Sequence, residues 1–289
     1  MQVLENEHLR ACIKPLGAEL CSLVNKETGI EHMWQADSEI WAKHAPILFP
    51  IVGELNEGKT LFNGETYAMS RHGFFRTSLT QLIEHTATSA TFELKASKST
   101  KSLYPFEFSL CVGYELVETT LVNSFEVRNL GKEPMPFTLG GHPAFAIAHF
   151  ECENIADYYL EFDKEEYASK HLLNSDGLFS GFTRSVLKGQ KKLPITADLF
   201  NEDALVFKNL LSSSVQLKSN QHSHGLRFTY KDWPYLGIWA KPGAKYVCLE
   251  PWMGCADNEG FTGEFHEKEC AITLSPSESK SLSFSVEVF

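Results

Sequence analysis

The 289-residue sequence lacks a C-x-x-C pair, a long apolar run, an excess of positive charge and, over most of its length, helical periodicity. Each absence removes a class of function. Seven scattered cysteines without paired spacing argue against a zinc ribbon or a disulfide framework, and predict a reducing environment. The longest apolar stretch, around "PILFPIV", is too short to cross a bilayer. The opening "MQVLENEHLRACIK" is charged almost at once, so no signal peptide is expected and the predicted location is cytoplasmic. With 26 Lys and Arg against 37 Asp and Glu, the formal charge is -11, which predicts neither nucleic acid nor an anionic membrane as partner.

What is present is two-residue alternation. In the closing "SLSFSVEVF", Leu282, Phe284, Val286 and Val288 share one face of a strand. "ATFELKAS", "SVQLKS", "SFEVRN", "LRFTY" and "CAITLS" follow the same rule, with turn-formers between them. In "LGIWAKPGAKYVCLE" two strand-like runs flank Lys241-Pro242-Gly243-Ala244, a type II turn sequence. Two short helices are expected, one over "DSEIWAKH" (37–44) and one over "TADLF" (196–200) capped by Thr196. Residues 96–103 suggest an exposed loop tip, and 150–195 suggest irregular connections over the sheet. With no repeat, linker or compositional break, the economical reading is one all-β domain over 1–289, a large antiparallel β-sandwich with few short helices.

Three segments concentrate the residues that can move protons or hold a polar ligand. In "KYVCLEPW" the period of two places Tyr246, Cys248 and Glu250 on one strand face, with Val247 and Leu249 opposite, and Pro251 is expected to end the strand. A carboxylate beside Cys248 and Trp252 loses solvent, which raises its pKa toward a general base's range. "TLGGHPAF" presents His142 after two glycines expected to adopt special backbone angles. "RHGFFR" places His72 between Arg71 and Arg76, and "LFNEDALVF" carries Asp203 ahead of an apolar run. Taken singly, each admits a plainer role: strand-end glutamate, turn histidine, basic surface loop, turn aspartate.

In combination, and in this order, HGF-x-R, GGHP and C-L-E-P resemble the aldose 1-epimerase (galactose mutarotase) family, in particular its LacX-type branch. The similarity also takes in "WAKHAPILFPIVGEL", "FNEDALVFKNL" and "YLGIWAKPGAKYVCLEPWMGCAD", nearly the whole chain. The resemblance implies a galactose mutarotase-like supersandwich, a sugar cleft, no metal and no organic cofactor. It implies interconversion of the α and β anomers of a hexose, with Glu250 as general base and His142 as general acid. His72, Arg76 and Asp203 would then bind the sugar. On this expectation His142 enters protonated and Glu250 ionised, each holding the other's charge.

The only partner expected is a small-molecule sugar, for a monomer or homodimer. The segment before "P-I" carries Lys43 and His44 but no arginine, which favours a neutral hexose over a hexose 6-phosphate, although Lys43, Arg71 and Arg76 could combine on a phosphate. Trp252, Trp239 or Phe145 could stack on a pyranose. Competing readings are a non-catalytic carbohydrate-binding protein, a zinc site from His72, His142 and Glu250, and a glycosidase using Glu250 with Asp203.

Overall fold

The computed structural model describes residues 1–289, and alternation organises it throughout. Fifteen strands form one antiparallel sheet. From one edge its order is Ile47–Leu48, Leu139–Gly141, Tyr246–Met253, Tyr235–Trp239, Leu205–Lys208, Tyr158–Leu173, Ser214–Ser219, Gly225–Thr229, Ser279–Val288, Thr120–Asn129, Phe108–Val117, Ser89–Lys95 and Gln81–His85. Off that path, Ala144–Ala146 pairs with Tyr246–Met253 and Phe179–Pro194 pairs with Tyr158–Leu173. A three-stranded sheet of Gln2–Glu5, Leu9–Lys14 and Glu19–Asn25 joins the core, tied by the Tyr114 hydroxyl donating to the Ala18 carbonyl at 2.7 Å.

Both faces of the large sheet bury apolar side chains, but unequally. Leu205, Phe207, Leu236, Ile238, Val247 and Leu249 enter a core cluster that runs from Leu4 to Val288. Their neighbours Val206, Tyr235 and Trp252 point the other way, into a small cluster with Leu48, Val52 and Phe179. Full burial of each such side chain contributes roughly 1.5–3 kcal/mol, so the larger cluster fixes register. The smaller one forms the floor of a cleft.

The Pro-Gly hairpin forms as expected: Ala244 N–H donates to the Lys241 carbonyl at 2.9 Å and Gly243 has φ +77°. The two expected helices do not form. Residues 37–44 make one turn in which the Trp41 and Ile40 N–H groups donate to the Asp37 carbonyl, and 196–200 is likewise a turn. In 37–44 the chain instead turns so that Trp41 packs on His142, Trp239 and Tyr246. Helix appears instead at Lys98–Lys101, inside the expected loop, where Ser97 and Thr100 make a reciprocal capping box.

The stretch 150–195 is not irregular connection. It is dominated by two 16-residue strands, Tyr158–Leu173 and Phe179–Pro194, paired as a long hairpin. Four register shifts along the pair break the two-residue rhythm and hide the strands from a period-two reading.

Candidate active site

Glu250 and Pro251 lie inside the strand Tyr246–Met253, which does not stop at the proline. Leu249 N–H donates to the Pro143 carbonyl, so the nitrogen two residues later faces the same flank. There the adjoining chain is interrupted between Leu139–Gly141 and Ala144–Ala146, and a missing donor is tolerated. His142 occupies that interruption. The break in one strand therefore delivers the imidazole beside the carboxylate of the next: His142 Nε2 lies 3.3 Å from Glu250 Oε2.

The glycines before His142 work by absence of bulk, not by special backbone angles, since neither has positive φ. A Cβ on Gly140 would lie 2.8 Å from the Trp252 ring, and one on Gly237, across the other flank, would also lie 2.8 Å from it. Trp252 thus lies across two neighbouring strands that make room for it. On the pocket side, Trp41 stacks on His142 with centroids 5.1 Å apart, and Trp239 meets the same imidazole edge-on at 5.9 Å.

The turn carrying His72 comes from a distant part of the chain. His72 has φ +67° and Gly73 has φ +70°, a left-handed pair that turns the ring into the cleft. A Cβ on Gly73 would fall 2.3 Å from the Phe49 carbonyl oxygen, so only glycine fits. Gly53 N–H donates to His72 Nδ1 at 3.1 Å, while His72 N–H donates to the Gly53 carbonyl. This fixes the neutral tautomer with the proton on Nε2, a donor with no partner in the protein. Burial, with the positive charges of Arg76 and Arg71 adding, holds the His72 pKa well below the ordinary value.

These residues, with Arg76 and Asp203, line one cavity of about 830 Å³ including its open mouth, a size suited to a small-molecule ligand. Asp203 is exposed at the rim, its Oδ1 accepting from Ala204 N–H at 2.8 Å. Arg76 donates only to the Arg71 carbonyl, at 2.7 Å, and has no carboxylate partner. Arg71 is matched: its Nε donates to Glu54 at 3.1 Å and its Nη2 to the Asp176 carbonyl at 3.0 Å, latching the tip of the long hairpin over the cleft. Lys43 and Phe145 do not line the cavity. His44 is buried against Lys14 and Glu19.

The charge states differ from the expected ion pair. Burial drags the His142 pKa down to about 3, with Arg76 pushing the same way. Burial also raises Glu250 well above the carboxylate range, and the charge of Asp203 adds to it. Both shifts favour a protonated carboxyl beside a neutral imidazole over the ion pair. Desolvation of both charges outweighs their mutual attraction.

Three contributors were absent from the sequence reading as site residues. Trp41 stacks on His142 from a turn that read as helix, Glu54 neutralises Arg71, and Phe179 walls the cleft from a strand that read as loop. Asp257 frames the same wall. Its Oδ2 accepts from Asn56 N–H at 2.8 Å, its N–H donates to the Glu54 carbonyl, its carbonyl accepts from Phe179 N–H, and its Oδ1 pairs with the buried Lys268 ammonium.

Comparison with known proteins bears on the family and the fold. The family model for aldose 1-epimerase matches residues 1–287. The plasmid-encoded protein LacX of Lactococcus lactis subsp. lactis is 33% identical over 294 aligned positions, covering 99% of this chain and 98% of that protein. A galactose mutarotase related enzyme from Lactobacillus acidophilus superposes with a TM-score of 0.95 at 32% identity, over 100% of this chain and 97% of that one. A galactose mutarotase-like protein from Lactobacillus casei gives 0.94 at 31%, over 100% of both. A strand break that sets imidazole against carboxylate thus sits in a fold shared nearly end to end, and the chain belongs to the aldose 1-epimerase family.

Proposed function

We propose that the chain, acting as a single domain, is an aldose 1-epimerase that interconverts hexose anomers, with Glu250 as general base and His142 as general acid. The observation that carries this is the 3.3 Å contact between His142 Nε2 and Glu250 Oε2 on the floor of a sugar-sized cavity. The two oxygens to be served, the anomeric hydroxyl and the ring oxygen, are bonded to one carbon, so acid and base must be adjacent.

When the sugar enters, the dyad proton passes to His142, and the carboxylate accepts hydrogen bonds from the sugar hydroxyls. Glu250 then takes the anomeric proton, His142 protonates the ring oxygen, and the bond from that oxygen to the anomeric carbon breaks. The open aldehyde rotates and closes on its other face by the reverse transfers. After ring opening the pair again holds a protonated carboxyl and a neutral imidazole, the form burial favours. The same burial makes Glu250 a stronger base and His142 a stronger acid, so both transfers gain driving force. His72 Nε2–H, Arg76 and Asp203 hold the hydroxyls.

Since Arg71 is occupied by Glu54 and Lys43 lies outside the cavity, the reading favours a neutral hexose. A hexose 6-phosphate is the second reading, because Arg76 has no carboxylate partner. Freshly dissolved α-glucose, α-galactose and hexose 6-phosphates, followed by polarimetry or NMR, test both. Anomerisation at the spontaneous rate for every sugar, with sugar still bound, leaves a carbohydrate-binding protein instead.

The pH dependence follows from proton counting. The dyad works with one proton. Two exposed groups would hold one only between about 4.3 and 6.5, the ordinary glutamate and histidine values. Here the second proton arrives only as pH falls through about 3, on His142. The last proton leaves Glu250 above the usual carboxylate range. We expect a bell-shaped kcat/KM profile whose acid limb falls near pH 3; an acid limb at the ordinary glutamate value of about 4.3 counts against the assignment.

A further inference from the structure

Cys248 precedes Glu250 by two residues on the same strand face, fully buried, and has no part in the proton transfers above. One ligand atom each from His142, Cys248 and Glu250 lies within 4.8 Å of the others. We infer that these three residues form a site for a thiophilic divalent cation of the zinc class, which reversibly occupies the floor of the cleft and shuts the sugar out.

The geometry is close to what such an ion takes. With Zn–N and Zn–O bonds of ~2.0–2.1 Å, the N-to-O edge of a tetrahedron is ~3.3 Å, and with Zn–S of ~2.3 Å the edges to sulfur are ~3.5 Å. The His142–Glu250 edge is already 3.3 Å, so closure asks only a small movement of the thiol. Cys248 and Glu250 sit on one strand, His142 sits in the break between two short strands paired to it, and Trp41 stacked on the imidazole holds its plane.

Charge balance favours the ion as well. A dication with one thiolate, one carboxylate and a neutral imidazole is electrically neutral, so the buried floor carries no net charge when the ion is bound. Sulfur and nitrogen ligands exclude magnesium and calcium, which require more oxygens.

Two features make the ion a reversible inhibitor and not a resident cofactor. The protein supplies three ligands, leaving the fourth position to water. His142 Nδ1 is buried with no hydrogen-bond partner, so the orienting outer contact that strengthens metal-bound imidazole is missing.

Chelator-treated full-length protein, with the exposed Cys152 and Cys270 changed to serine as background, is titrated with Co²⁺ and then with Zn²⁺. The expected result is a 1:1 cobalt complex with a thiolate-to-cobalt charge-transfer band in the near ultraviolet, displaced by zinc. Cys248→Ser and Cys248→Ala should both abolish the band and lower zinc affinity by more than the ~10–100-fold typical of outer-contact losses. A band that persists in either variant, or none in the parent, overturns the site.

Exclusion of sugar rests on the epimerase reading and is read separately. Zn²⁺ should raise the apparent KM without lowering kcat, and the Cys248 variants should keep their rate while losing zinc sensitivity. Absence of anomerisation in the metal-free protein overturns the epimerase reading, and the cobalt band still decides the site.

Discussion

Glu250→Gln should lower kcat for anomerisation by ~10²–10⁴-fold, the range of one positioned proton transfer, or roughly 3–5 kcal/mol of barrier. Sugar binding should survive, because His72, Arg76 and Asp203 are untouched. The fold should survive too, since burial already holds Glu250 in its uncharged form, which glutamine matches in shape and polarity. Stability supplies an independent reading with a definite sign. A carboxyl whose folded pKa is raised stabilises fully below its unfolded value of about 4.3, and that contribution is lost as pH climbs toward the folded value. The variant should therefore match wild type near pH 4 and become the more stable protein as pH rises. Calorimetry at several pH values, beside polarimetry and sugar titration, separates the outcomes. Unchanged kcat removes Glu250 as the base. Lost binding makes it a sugar contact instead.

Legibility in the sequence followed the range of the forces involved. Period-two segments such as Ser279–Val288 and the Pro-Gly hairpin were readable, because alternation and turn chemistry are local. The long hairpin was not, because its four register shifts erase the period that marks a strand. The expected helix at 37–44 failed because Trp41 packs on His142, Trp239 and Tyr246, a tertiary contact that no local propensity encodes.

Within the site, residue types were readable and charge states were not. Glu250 and His142 stood out by motif, but the expectation of an ion pair assumed partial solvent. Near-complete removal of water reverses the preferred state of both groups, and burial is a property of the folded ensemble of strands. Gly140 shows the same limit. A glycine before a histidine suggests a turn, whereas its use is to let the Trp252 ring lie against the strand.

The second large effect is expected at Lys268, which no motif marks. Its ammonium and the Asp257 carboxylate are both almost wholly buried, their side chains 3% and 1% exposed. Lys268→Met would leave the carboxylate buried without its cation, a loss of ~3–5 kcal/mol for a broken buried pair. At roughly 2–4 °C per kcal/mol for a chain of a few hundred residues, the melting temperature should fall by roughly 6–20 °C. Activity should fall as well, and for a traceable reason. Asp257 bonds to Asn56 N–H and the Glu54 carbonyl on one side and to Phe179 N–H on the other. Glu54 holds Arg71, and the adjacent Gly53 holds His72. A repelled or protonated Asp257 loosens the turn that fixes the His72 tautomer, so KM should rise more than kcat falls. The double variant Lys268→Met with Asp257→Asn removes both charges and should recover a large part of the lost stability, since the cost lies in the unpaired ion. Equal melting temperatures for the single variant and wild type, or a double variant no better than the single, would show that this pair does not brace the cleft.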